Sequence, residues 1–412
     1  MDNPLKHDFY RRKYTNFELL CILPPSLRWY NLAGEEFTVK VCFTGGGTGG
    51  HIFPVFAVDS QLISLTNQTG ECYQRFWLGS RSLQEKSWVT DAGIPHISIQ
   101  TGKLRRYVSW KFFPDMVHVV IGFFQALKIL HKEQPDVLFS KGGFVSVPPV
   151  IAARLLKIPT ITHESDAIPG LATIINIRFA DVVCIPFEEA IEAYPKKIQH
   201  KVIVTGVPTR MHLEQGNAAR ALHKFGFSEL RPVLLILGGS QGALQINNLV
   251  WDSLEELLKI GQIIHQTGER TFRTIEREGY VSIPFIDNAL EDILAATSVV
   301  VSRSGATALA DFLEMHVPMV LIPLGLHASR GDQIENARRL ATSGAAVVIE
   351  GEEITKEYFV SVVKNLVLLD SKRRGMLEAA RAFQMSGADR KIAETVIQLA
   401  RRKSGRRREA HG

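Results

Sequence analysis

GGGTGGH at Gly45–His51 and GGSQGA at Gly238–Ala243 each follow a short apolar run and each precede a helix-like pattern. A glycine-rich turn from strand to helix presents backbone N–H groups and the positive end of a helix dipole, both suited to an anion. One such turn in each half of the chain predicts an α/β protein of two Rossmann-like domains, with parallel sheets facing an interdomain cleft. A nucleotide-dependent enzyme is the leading reading.

Outward from the first turn, alternating apolar residues predict a strand over 37–44, and 52–65 continues as a helix with Pro54 tolerated in its first turn. Further strands are expected at 75–78, 136–140, 160–163, 182–185 and 201–205, mostly separated by helices. Gly206, Val207 and Pro208 read as a linker. Beyond it the pattern restarts with strands at 233–237, 263–266, 299–302 and 319–323, followed by helices over roughly 356–402. The expected division is a poorly ordered leader over 1–37, a first domain over 38–206, a second over 207–402 and a solvated basic tail over 403–412 with little structure of its own.

The 412 residues exceed one ordinary core, and 45% apolar with 22% charged residues is the balance of a globular protein. No run has the apolar length of a membrane span, and Glu18, Pro24 and Pro25 around Leu19–Leu23 argue against a signal peptide. Cys21, Cys42, Cys72 and Cys184 form no CxxC pair, which argues against a zinc site and a disulfide framework. The cytoplasm is the expected compartment. A net charge of +6 without a nucleic-acid motif suits a phosphorylated ligand or an anionic membrane face.

Gly45, Gly47 and Gly50 satisfy GxGxxG, but the second expected strand ends in Leu78, Gly79 and Ser80, without the acidic residue that a NAD enzyme sets on its ribose. His51, at the mouth of the turn, either takes a proton from an attacking hydroxyl or merely hydrogen-bonds the loop. KGGFVSVPP at Lys141–Pro149 and HESDAIPG at His163–Gly170 follow expected strands, at the sheet edge where open α/β folds bind ligands. Glu164 and Asp166 there can bind sugar hydroxyls or act as a base, while helix capping is the plain alternative for Asp166.

In the second half, Ser240 can hold a phosphate, yet Gly238–Gly242 also satisfy GxSxG, and Asp311 and His327 follow in the order of a hydrolase triad. Phosphate binding leaves less of the chain unexplained. Asp311, one turn after Thr307, can accept two hydrogen bonds from a ribose diol or be a solvated helix aspartate. The segment Pro323–Ala337 adds His327, Arg330, Gln333 and Asn336, and the Gln333 amide suits sugar hydroxyls.

With GGGTGGHIFP, KGGFVSVPP, HESDAIPG, GGSQGA, SRSGATALAD and DQIENA in order from about Lys40 to about Arg402, the chain resembles the MurG family, membrane-associated N-acetylglucosaminyltransferases of glycosyltransferase family 28. The resemblance implies the GT-B fold, with UDP-N-acetylglucosamine held mainly by the second domain and a lipid-linked acceptor, lipid I, mainly by the first. It puts Thr48, Gly49 and Gly50 on loop contacts, Asp166 on a sugar contact, Arg210 near the donor and Ser240 on its phosphate. Ile286 falls on a backbone contact with uracil, Ala306 and Asp311 on the nucleotide-binding helix, and Gln333 on the donor sugar. Many members have asparagine at Asp166 and glutamate at Asp311; the shorter aspartate reaches about one methylene less far.

The implied reaction is inverting transfer of N-acetylglucosamine to the C4 hydroxyl of the muramyl sugar of lipid I, giving lipid II for peptidoglycan at the cytoplasmic face of the membrane. Inversion needs a base and a stabilised leaving group; His51 is the expected base and Asp166 the second choice. The chain contains no DxD triplet to seat a bridging cation, so neither a metal nor a cofactor is expected for the chemical step. Leu104–Phe113, LRRYVSWKFF, interleaves basic and aromatic residues as an interfacial patch requires, with Arg105, Arg106, Tyr107 and Trp110 the expected contacts and core packing the plain alternative.

Overall fold

The computed structural model describes residues 38–102, 112–210, 213–239, 242–286, 289–325, 331–383 and 387–409. It resolves two compact units: the first comprises the described residues of Met1–Glu164, Pro169–Pro208 and Gly387–Gly412, the second Ser165–Ile168 and the described residues of Thr209–Ser386.

The first unit is built on seven parallel strands, β1 (Thr38–Thr44), β2 (Cys72–Gly79), β3 (His96–Ser98), β4 (Val137–Ser140), β5 (Thr160–His163), β6 (Val182–Ile185) and β7 (Val202–Val204), in the order β3-β2-β1-β4-β5-β6-β7. The order reverses beside β1, which pairs with both β2 and β4. Open α/β sheets bind ligands at the strands' carboxyl ends beside such a switch point, and the Gly45–His51 turn follows β1 at that edge. On one face the helix Phe53–Thr69 covers the sheet through Val55, Val58 and Leu62, all fully buried.

The second unit repeats the scheme with β8 (Val233–Leu237), β9 (Gln262–Gln266), β10 (Tyr280–Ile283), β11 (Val299–Ser302), β12 (Met319–Leu321) and β13 (Val347–Val348), in the order β10-β9-β8-β11-β12-β13. Its switch point lies at β8, between β9 and β11. The strands Val233–Leu237 and Val299–Ser302 are buried throughout, the uninterrupted apolar run expected of a parallel strand covered on both faces.

Two expectations about the chain's end are corrected. The last helix, Ala388–Glu409, belongs to the first unit, where Ile392, Ala393, Val396, Ile397 and Ala400 enter the core formed by β1, β4 and the Phe53–Thr69 helix. Burying three such large aliphatic side chains contributes on the order of 5 kcal/mol, enough to bring the chain back to the first sheet. The helix also runs through Glu409, so the basic stretch after Arg402 is not structureless. Gln61 Nε2 to Asp389 Oδ2 (2.9 Å) and the Arg401–Glu71 ion pair (2.7 Å) fix its register. Among the described residues no helix is long and apolar enough to cross a membrane.

Candidate functional site

In the first unit, two glycine loops lock together at the sheet edge. Gly143 has φ +77°, and a Cβ on it would lie 2.5 Å from the carbonyl oxygen of Gly46, so the KGG turn admits no side chain against the GGG turn. Thr48 is exposed, Gly49 buried, and Gly49–His51 form a single tight turn before the helix. His51 is half-buried, and its Nδ1 lies 3.2 Å from the Lys141 carbonyl oxygen. A carbonyl only accepts, so Nδ1 is the donor in this contact, and in the neutral ring the lone pair falls to Nε2.

Beneath this loop lies a carboxylate that the sequence reading passed over. Glu85, 2% exposed, accepts from Ser80 N and Ser80 Oγ, both at 2.6 Å, and its Oε1 is 3.3 Å from His96 Nε2. A Cβ on Gly46 would come within 2.5 Å of Glu85 Oε2. Ser82–Glu85 reads as an ordinary capping box, S-x-x-E, and Ser82 does cap the helix by accepting from Glu85 N. The glutamate turns instead to the end of β2, an acidic group at the strand end after all, but spent on protein donors.

Glu164 is also structural: its Oε2 accepts from Thr173 Oγ1 (2.6 Å) and Gly170 N (3.0 Å), closing the base of the HESDAIPG loop. His163 beside it is fully buried, and its Nε2 donates to the Gly206 carbonyl (2.8 Å), so Nε2 bears a proton. Burial holds the imidazole well below its usual pKa, with Lys141 acting in the same direction.

The second unit supports its glycine turn differently. Gln266, at the end of β9 and 5% exposed, donates through Nε2 to the Gly239 carbonyl (2.9 Å) and accepts through Oε1 from Ile286 N (2.9 Å). One neutral amide therefore ties the turn after β8 to the loop carrying Ile286. Gly242 has φ +77° and would set a Cβ 2.3 Å from the Thr267 carbonyl oxygen, so the turn packs directly on the next strand's end. Below, His265 bridges Tyr280 OH (3.0 Å) and Asn247 Oδ1 (3.1 Å), and burial pushes it down to about 3. Sequence reading missed this neutral network; its only signal was polar Gln266 and Asn247 within apolar segments.

Of the expected donor residues, Ile286 is buried with its N–H committed to Gln266, and Ala306 opens the helix Ala306–Glu314. Gln333 Oε1 accepts from Leu324 N (3.1 Å), and its carbonyl accepts from Ser304 Oγ (2.7 Å). Asp311, 2% exposed, accepts from Arg210 N (3.0 Å), and Arg210 Nε lies 3.3 Å from its other oxygen, an ion-pair contact. Burial raises the Asp311 carboxyl to about 6, against the pull of Arg210.

Asp166, expected in the first domain, belongs to the second compact unit. Its Oδ1 accepts from Asn336 Nδ2 (2.9 Å), while Ala167 N donates to Asn336 Oδ1 (3.2 Å). His51 and Asp166 thus lie in different units. Ser240, His327, Arg330, Arg105, Arg106, Tyr107 and Trp110 fall outside the described residues. No group of three or more metal-ligating side chains occurs among the described residues.

Residues 41–185 match the glycosyltransferase family 28 N-terminal domain, and residues 233–395 its C-terminal domain. A Staphylococcus carnosus (strain TM300) protein is 43% identical over 324 residues, 78% of this chain and 87% of its own. It is named UDP-N-acetylglucosamine–N-acetylmuramyl-(pentapeptide) pyrophosphoryl-undecaprenol N-acetylglucosamine transferase. The chain belongs to glycosyltransferase family 28.

A protein of the same name from Staphylococcus aureus (strain JH9) is 38% identical over 365 residues, 88% of this chain and 99% of its own. The crystal structure of Acinetobacter baumannii MurG superposes with a TM-score of 0.63 at 24% identity, covering 87% of this chain and 99% of that one. The two parallel-sheet units and this likeness make the fold GT-B. Family membership also decides against the hydrolase reading of Gly238–Gly242, whose acid, Asp311, is engaged by Arg210.

Proposed function

We propose that the protein transfers N-acetylglucosamine from UDP-N-acetylglucosamine to the C4 hydroxyl of the muramyl sugar of lipid I, with inversion, giving lipid II. The observation that carries this reading is 43% identity across 78% of the chain to a relative bearing that activity in its name. The donor binds the second unit: the turn holding Ser240 receives the diphosphate, and Ala306 and Gln333 line the nucleotide and sugar. Because Gln266 takes the Ile286 N–H, uracil is read by the Ile286 carbonyl, which accepts the imide N–H. Thr48, Gly49 and Gly50 receive the acceptor.

His51 is the base, its Nε2 lone pair fixed by the Nδ1 contact with Lys141. Asp166, already accepting from Asn336, orients the sugar. The growing charge on UDP is stabilised by the backbone at the second glycine turn and by Arg210.

The acceptor's lipid brings the enzyme to the anionic, cytoplasmic face of the membrane as a peripheral protein. The helix Phe112–Glu133 supports this, since Met116, Val117, Val120, Ile121 and Phe124 form an exposed apolar stripe directly after the basic-aromatic residues 104–113.

The test offers radiolabelled UDP-N-acetylglucosamine and a short-chain lipid I analogue to the parent and to His51→Ala. The parent is expected to form labelled disaccharide, and His51→Ala to lose at least about a hundredfold in turnover. Undiminished turnover by the variant removes His51 as the base; labelling of Ser240 by a fluorophosphonate would return the hydrolase.

A further inference from the structure

We propose that the basic end of the last helix, Arg401–Arg408, docks on an anionic bilayer surface as a second contact, separate from the apolar stripe of the helix Phe112–Glu133. The proposal rests on the peripheral-membrane reading above and extends it to residues that reading does not use. Six of the 48 lysines and arginines, but one of the 42 acidic residues, lie in Arg401–Glu409, RRKSGRRRE. Of the net charge of +6, this stretch therefore carries +5, and all other residues together carry +1.

The cations belong to a folded element. Ile392, Val396 and Ala400 seat the helix in the first core, and from Arg401 through Glu409 it continues with no apolar side chain. A helical turn that is polar all round gains nothing by packing on its own sheet. Arg402 with Arg406 and Lys403 with Arg407 are like charges four residues apart, a pairing that disfavours the helix. An anionic surface offsets that repulsion.

The position of the cluster is fixed within the first unit. Arg401 pairs with Glu71 (2.7 Å), just before β2, and Lys403 Nζ donates to the Pro135 carbonyl (2.6 Å), between the helix Phe112–Glu133 and β4. Glu133 is held by Lys40 (2.8 Å), so Glu71 and Glu133, carboxylates at this edge, are each already matched by a cation. The helix Phe112–Glu133 presents one exposed ridge at helical spacing, apolar at Val117, Ile121 and Phe124 and basic at Lys128 and Lys132. That ridge leads to Pro135, where Lys403 continues it with charge of the same sign. Apolar groups that enter the bilayer boundary, flanked by cations at headgroup level, make an interfacial contact, and this continuity assigns the cluster to a lipid surface.

The test is sedimentation of the full-length protein with vesicles of phosphatidylcholine alone and of phosphatidylcholine with about 30% phosphatidylglycerol. The parent is compared with Arg402→Gln/Arg406→Gln/Arg407→Gln/Arg408→Gln, with lysine at the same four positions, and with Ile121→Ser/Phe124→Ser. Arg401 and Lys403, which hold the helix in place, stay intact. On anionic vesicles the glutamine variant should bind at least about thirtyfold more weakly than the parent, and the lysine variant within about threefold of it, because the attraction is to charge. On phosphatidylcholine the parent and the glutamine variant should agree within about twofold, as should their turnover of a soluble short-chain acceptor. Ile121→Ser/Phe124→Ser should weaken binding to both kinds of vesicle. Backbone amides of residues 401–409 in the parent should gain protection from hydrogen exchange on anionic vesicles.

Equal binding of the parent and the glutamine variant to anionic vesicles overturns the proposal and leaves the apolar stripe standing as the membrane contact. Unchanged exchange at residues 401–409 overturns it too. So does retention of a single-stranded RNA that depends on the four arginines while vesicle binding does not, which makes the cluster a nucleic-acid contact. A well-folded parent that binds neither kind of vesicle overturns the peripheral reading itself, a result distinct from any selective effect of the four arginines.

Discussion

The two units solve one problem with opposite chemistry. Under the glycine turn of the first unit lies a buried carboxylate, Glu85, held by Ser80 and His96, with buried Lys141 on the neighbouring strand end. Under the turn of the second lies a neutral amide, Gln266, above the uncharged Asn247–His265–Tyr280 network. An anion approaching the second turn meets backbone dipoles over a neutral amide, with Arg210 set against its own buried carboxylate, Asp311. At the first turn it meets a field that depends on the charges of Glu85, His96 and Lys141. The two glycine turns therefore differ in the chemistry beneath them, in keeping with the separate donor and acceptor roles proposed above.

The largest expected effect breaks the symmetry of chain connectivity. Deleting residues 388–409 strips the first core of Ile392, Val396 and Ile397, which on their own bury on the order of 5 kcal/mol. Calorimetric melting should then show the first unit's transition lost and the second's retained. Two intact transitions would contradict the placement of this helix.

Next comes Glu85→Ala, which leaves Ser80 and His96 buried without their acceptor and should cost about 3 kcal/mol in chemical denaturation. UDP affinity should stay within about twofold, because the effect is confined to the first turn. Gln266→Leu sharpens the contrast from the other side, with an expected loss of about 1–2 kcal/mol of stability and roughly tenfold in UDP affinity. Equal effects of the two substitutions on UDP binding would erase the distinction between the turns.

The smallest effect is in pH dependence. Asp311 has a folded value of about 6 against 3.8 for the free side chain, so the folded state binds the proton more tightly. Its contribution is fully present below about 3.8 and is lost as pH rises through about 6. Parent stability should therefore fall across that window relative to Asp311→Asn. A parallel pair of stability curves would show that Arg210 cancels the cost of burial.

How far the sequence was legible follows from where each residue's partners lie. Strands interior to the sheets announced themselves as apolar runs, as with Val233–Leu237 and Val299–Ser302. The three unexpected strands, His96–Ser98, Tyr280–Ile283 and Val347–Val348, are all short and at sheet edges, where one neighbour suffices and the apolar signal is weak. The last helix displayed a buried face at Ile392, Val396 and Ile397, but a helical period does not say which sheet covers it.

The glycine turns and the residues around them were readable because their spacing is local. Glu85 was hidden by a capping-box pattern that it satisfies only in part, and Gln266 by the long range of its partners, 27 and 20 residues away. The pairing of Asp311 with Arg210 spans 101 residues, so no local pattern could announce it.

Hydrogen–deuterium exchange of the full-length protein with and without UDP tests the division of labour between the units most directly. Protection should concentrate at residues 237–245, 283–290 and 303–311, with residues 44–52 unchanged. Protection centred on residues 44–52, with the second turn unaffected, would contradict it.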